Sequence, residues 1–373
     1  MASGIPPELF EVIVEQLSDS PKDLSVCNLV CREWLLLARN YTTIHLSTQN
    51  ISGVLDLLEF PTTTLFYSLR RLDIFAWYSE DTAHLPILQM LPQFKRLPAL
   101  VMWCPFPDGL PDLPWLTELE LSGTFGSWAS FVRFMSNLPA LQTLVLDDVR
   151  WADVPVPPLN FPFLDLRALS LDFGTGAPIE AIMLPNRTRS LTLGLWGYSS
   201  SPTGCLQIVP TYLHHLGGHL RYLHLRCEST DHIDFCHNVG LQHLQIGGAI
   251  PLNIVGELSV VDVSPSLECL LANVASHCSL QTLTLGVQTE SVTNPIYPTE
   301  WTVFPKFVQF MDAPQFSAVR EIQFIVNGSP FVLRGSARAA REHFERLLPD
   351  ILPARAARRV ACFDGEDPDE VWY

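Results

Sequence analysis

"LTELELSGTFGSWASFVRFMSNLPALQTLVL" spans Leu116 to Leu146 and contains the unit on which most of the chain is built. It opens on L-x-x-L-x-L, closes on a second copy, and carries between them a stretch, "GSWASFVRFMSN", that reads as a linking helix. Strand side chains alternate, so the fourth- and sixth-position leucines share one side and positions three, five and seven share the other. The pattern returns as "LRRLDI" (69–74), "LPALVM" (97–102), "LRALSL" (166–171), "TRSLTL" (188–193), "LRYLHL" (220–225), "LQHLQI" (241–246), "LQTLTL" (280–285) and "VREIQF" (319–324). The fourth positions fall at 72, 100, 119, 144, 169, 191, 223, 244, 283 and 322, giving intervals of 19 to 39 residues. One such unit cannot bury its apolar side alone. Stacked neighbours share a core, with their strands in a parallel sheet.

These repeats resemble an irregular leucine-rich-repeat domain. The resemblance implies an α/β solenoid over 47–363 with a parallel β-sheet on its concave face. One departure matters. Such repeats place Asn or Cys three residues past the last leucine, whereas this chain has Thr124, Val149, Gly174, Glu228 and Gln288 there. With no asparagine ladder, the turns must satisfy their backbone otherwise. "YTTIHLS" (41–47) alternates like a strand, and "CLQIVPTYLHHLG" reads as a helix that bends or begins at Pro210. Further helices are expected at "PSLECLLANVASHC" and "SARAAREHFERLL".

The opening segment reads differently. Pro6 and Pro7 suit a helix start, with Glu8 and Glu11 in its first turn. Leu9, Ile13 and Leu17 form one apolar column, and Phe10 and Val14 a second beside it. A second helix starts at "SPKD", and a third carries Leu29, Val30, Cys31, Trp34 and Leu35. Three short helices form a marginal core with apolar surface to spare. That surface either binds a partner or is covered by the domain that follows.

"IPPELFEVIVEQL", "DSPKDL" and "CNLVCREWLLLAR" resemble an F-box motif of the version common in fungal proteins. Ile5 stands where leucine is commoner, and the loop is short and polar. The resemblance covers roughly residues 5–46, within an F-box domain at 1–46. It implies that Pro6, Leu9, Ile13, Leu17, Leu29, Val30 and Trp34 bind a Skp-type adaptor, and through it a cullin. The chain would then be the substrate-recognition adaptor of an SCF-type ubiquitin ligase whose repeat domain recruits a protein substrate. A non-ligase repeat scaffold is the alternative, with the first helices merely capping the repeats.

Composition limits other readings. The formal net charge is −16, which disfavours nucleic acid and anionic membrane as partners. The tail at 364–373 is acidic ("DGEDPDE") and reads as solvated. The nine cysteines form no C-x-x-C pair and read as free thiols. No signal peptide or apolar run long enough to span a membrane is evident, so a cytoplasmic or nuclear location is expected. No phosphate loop, nucleophile elbow or zinc-protease motif appears. Of His214, His215 and His219, the pair His215 and His219 would be i, i+4 on a helix face only by running the helix through Gly217 and Gly218. We therefore expect no catalytic residues, no metal and no cofactor. Among outward positions, acids gather on the early strands. Tyr222, His224, Arg226 and His243 form a later group suited to an acidic ligand, with both histidines gaining charge below about pH 6.5.

Overall fold

The computed structural model describes residues 42–59, 66, 69–76, 84–151, 165–172, 188–195, 204–227, 233–252, 274, 279–289, 316–327 and 357–363. The seven residues assigned to the adaptor interface lie outside them, as do the helices expected at 265–278, Val274 apart, and 336–348, and the tail. The chain divides into two compact units, the second beginning at Arg167.

The first unit carries β1 (Thr42–Ser47), β2 (Leu69–Phe75), β3 (Ala99–Trp103), β4 (Glu118–Phe125) and β5 (Thr143–Trp151). Within this unit consecutive strands pair in parallel, β1 with β2 through β4 with β5. Register stacks Ile44, Leu72, Leu100, Leu119 and Leu144 in one column, and Leu46, Ile74, Met102, Leu121 and Leu146 in the next. Nearly all are buried, and burying one such side chain contributes roughly 1.5–3 kcal/mol. The described helices of this unit are α1 (Ile51–Glu59), α2 (Leu85–Met90) and α3 (Trp128–Ser136). Helix α3 is the linker read from sequence. The Ser127 hydroxyl caps it by accepting from the Ser130 N–H at 3.0 Å, and it buries Trp128, Phe131, Val132, Phe134 and Met135.

The second unit repeats the scheme. It holds β6 (Ala168–Asp172), β7 (Ser190–Leu195), β8 (Tyr222–Cys227), β9 (His243–Leu252), β10 (Thr282–Thr289), β11 (Glu321–Asn327) and β12 (Ala357–Phe363), again parallel and paired in chain order. Leu169, Leu191, Leu223, Leu244, Leu283 and Ile322 share one buried column. Helix α4 (Gly204–Leu216) precedes β8 and contains Pro210 in its interior. It does not begin there, which was one of the two courses open from sequence. The lost hydrogen bond is offset by the buried face of Val209, Tyr212, Leu213 and Leu216. The helix stops at Leu216, and Gly217–His219 form a 3-10 turn with Gly217 at φ 47°.

Every copy of the motif became a strand, but two features lay beyond it. The first is a buried residue three positions upstream of the first apolar one. Leu97, Leu116, Leu141, Leu241 and Val319 donate their N–H to the carbonyls of Phe94, Leu113, Leu138, Asn238 and Phe316, closing a tight turn before each strand. The second is a forked acceptor at the start of the strands. The carbonyl at position two accepts two N–H groups from the next repeat, as Thr117 does from Gln142 (2.8 Å) and Thr143 (2.9 Å), and Arg221 from Gln242 (2.8 Å) and His243 (3.0 Å). Beyond the leucines the strands simply continue. Thr124 and Val149, at two of the ladder positions, lie within β4 and β5. Strand β12 escaped the motif because Arg358 holds the position of Ile322. No helix among the described residues is long and apolar enough to cross a membrane.

Candidate functional site

The face opposite the leucines carries the polar residues of the strands. On the second unit, register sets Tyr222 beside His243, His224 beside Gln245, and Arg226 beside Gly247. The four residues singled out from sequence are thus brought together on two adjacent strands. Their exposure differs from the simple alternation. Tyr222 is half-buried, and its hydroxyl donates to Gln245 Oε1 at 2.8 Å. Its ring lies 6.2 Å from that of His243. The Arg226 stem rests against Gly247, where an added Cβ would meet Cγ at 3.4 Å.

His224 corrects an expectation. It is 6% exposed despite its outward position. Burial, and then the charge of Arg226, lower its pKa to about 3. It stays neutral through mild acid and adds no charge to this face. Burial likewise raises the Tyr222 hydroxyl above its ordinary value, with Arg226 opposing. Arg226 brings a guanidinium to this group of residues.

On the first unit outward acids of the early strands are engaged. Asp73 occupies an outward position yet is 2% exposed. It is held by Arg71 Nε at 2.9 Å and His45 Nδ1 at 2.8 Å, one from its own strand and one from β1. Trp103 donates its indole N–H to Glu120 Oε1 at 3.0 Å. Beyond these, at the carboxyl ends of β3–β5, lies a cavity of about 230 Å³. Its lining includes Trp103, Cys104, Ser122, Gly123, Asp148 and Arg150.

A bulge shapes this cavity. Between Leu121/Leu146 and Gly123/Val149, β5 carries one residue more than β4. The extra length falls at Asp147–Asp148, and Asp148 adopts φ 48°. Its carboxylate accepts from Arg150 Nε at 3.1 Å and Nη2 at 2.6 Å, a two-pronged pair at the rim. Gly123 has φ 138°, and a Cβ there would stand 2.2 Å from the Cys104 carbonyl oxygen. Burial pushes the Cys104 thiol up to about 12, so it is no nucleophile at neutral pH. The bulge has no signal in the sequence beyond the paired aspartates, which is why the motif gives no hint of the cavity.

Among the described residues, no group of three or more His, Cys, Asp and Glu side chains is placed to hold a metal ion. No protein-family model matches the chain. No curated protein matches it either. Among solved structures, a Bacteroides fragilis protein determined by a structural genomics consortium aligns over 87% of this chain and 74% of its own, at 12% identity and a TM-score of 0.38. A likeness of that size says nothing about function.

Proposed function

We propose that this protein is the substrate-recognition adaptor of a Skp–cullin–F-box ubiquitin ligase. An N-terminal F-box binds the Skp-type adaptor, and leucine-rich repeats recruit a protein substrate through the polar face of their strands. The observation that carries the reading is the sequence of residues 5–40, where Pro6, Leu9, Ile13, Leu17, Leu29, Val30, Cys31, Arg32 and Trp34 stand at F-box spacing. The parallel, sequential strands support the repeat half, since one strand per motif places successive outward residues side by side. Joining two binding surfaces in one chain raises the local concentration of a substrate near the ligase machinery. The chemistry then belongs to partner proteins.

The test is co-expression of the full chain with a Skp-type adaptor. We expect co-elution and a higher soluble yield, because covering an apolar stripe removes an aggregation surface. Leu9→Glu combined with Trp34→Ala should abolish co-elution. A full-length protein that is monodisperse alone and captures no adaptor would remove the ligase reading.

A further inference from the structure

We infer that the cavity at the carboxyl ends of β3–β5 seats one basic side chain, arginine or lysine, of the protein that this chain recruits. The inference rests on the recruiting role proposed above and names the chemistry of the recruited segment.

Size comes first. At about 230 Å³ the cavity is smaller than the roughly 300–1,000 Å³ typical of sites for free small molecules or cofactors. It matches a single long side chain entering from a docked polypeptide. Its lining is two-natured. Trp103, Pro105 and Ala76 supply apolar surface for a methylene stem, while Ser122, Thr124 and Asp148 supply oxygen acceptors for a donor-rich head.

Sign comes next. Asp148 engages Arg150 along one edge of its carboxylate, and the side chains are 49% and 61% exposed. A carboxylate has about four lone-pair sites, so two remain for a second donor. The same polar face carries Asp73, Glu118, Glu120, Asp147 and Asp148 against Arg71, Arg150 and His45. That imbalance attracts a cation and repels an anion, so the ligand is not one that Arg150 alone would capture. An indole is also the best of the aromatic rings for a cation placed over its face.

The frame is rigid. Gly123 lets the Cys104 carbonyl approach, and the bulge turns Asp148 to the rim instead of along the sheet. The lining comes from the ends of neighbouring paired strands, so little ordering is needed on binding.

Pools of peptides with randomised flanks and a fixed central Arg, Lys, Glu or Leu serve as probes, captured on the full-length protein. The Arg and Lys pools should be retained at least about fivefold better than the Glu and Leu pools, less so as salt rises. Asp148→Asn removes one charge and keeps a residue that tolerates positive φ. Ser122→Phe fills the cavity. Each should erase the preference while circular dichroism stays unchanged, and Asp148→Asn keeps the inference testable if Ser122→Phe fails to fold. Equal retention of Arg and Glu pools overturns the inference. So does a preference that survives Asp148→Asn, because it then reflects only the acidic chain as a whole. Adaptor co-elution is measured on the same variants. If co-elution persists while the preference is absent, this inference falls alone. If co-elution fails in wild type while the preference holds, the ligase reading falls and the cavity stands as a peptide site.

Discussion

Gly123 and Asp148 hold the left-handed side of backbone space at the same step of the β4–β5 ladder, for opposite reasons. Gly123 must lack a Cβ because the Cys104 carbonyl occupies that place. Asp148 keeps its Cβ and is anchored there by Arg150. Gly123→Ala should therefore cost more than about 2 kcal/mol, read as a lower denaturant midpoint at unchanged slope. A change within ±0.5 kcal/mol would mean the ladder shifts freely at that step. His224 makes a second prediction at this level. Its pKa is about 3 when folded against an ordinary 6.5. Between those values the unfolded chain takes up a proton that the folded one refuses. The stability contribution is complete above pH 6.5 and is lost as pH falls toward 3. The loss from pH 6.5 to 5 is about 2 kcal/mol. His224→Gln should flatten that slope in chemical denaturation, and Gln245 and Gln323 already place glutamine at the same register position of other strands. A variant that tracks wild type from pH 7 to 5 would show that His224 is not buried neutral.

Asn238 shows how one helix is tied to the strand after it. It holds the upstream turn position that Phe94, Leu113, Leu138 and Phe316 fill elsewhere, and like them it is buried. Its amide donates to the carbonyls of Leu213 at 2.8 Å and Gly217 at 3.1 Å, at the end of α4. Carbonyls in the last turn of a helix have no partner within it. Asn238→Leu restores the apolar residue type but removes both bonds. We expect a loss of about 1–3 kcal/mol and faster amide exchange over residues 216–220, with the β8 and β9 amides still protected. Uniform acceleration across the second unit would mean that the asparagine supports the whole unit and not this junction.

Charge acts on the molecule as a whole. The chain has 39 acidic residues against 23 lysines and arginines. Self-repulsion of that excess opposes the folded state and is screened by salt. Raising sodium chloride from about 20 to about 200 mM should raise the thermal midpoint by roughly 2 °C, measured at fixed pH above 7, where histidine titration contributes little. A midpoint that falls with salt would show that attractive ion pairs such as Arg71–Asp73 and Arg150–Asp148 outweigh the repulsion.

The strands were legible because their signal is local. A leucine at positions four and six buries on the same side of any parallel sheet, so the ten motif copies foretold β2–β11, and the helix between Leu121 and Leu141 followed from spacing alone. The alternation rule also identified which residues of β8 and β9 leave the core. It could not say that Asp73 and His224 would be covered on their outward side, because cover there comes partly from the next strand, as His45 of β1 meets Asp73 of β2 only through their register. The cavity lay further still from view. It exists because β5 is one residue longer than β4 over two rungs, and that mismatch arises only when the strands, distant in the chain, are laid side by side. The apolar columns were thus written in the order of residues along each strand, while the polar constellations came from the pairing of strands, where one residue's neighbour is chosen by packing and not by sequence position.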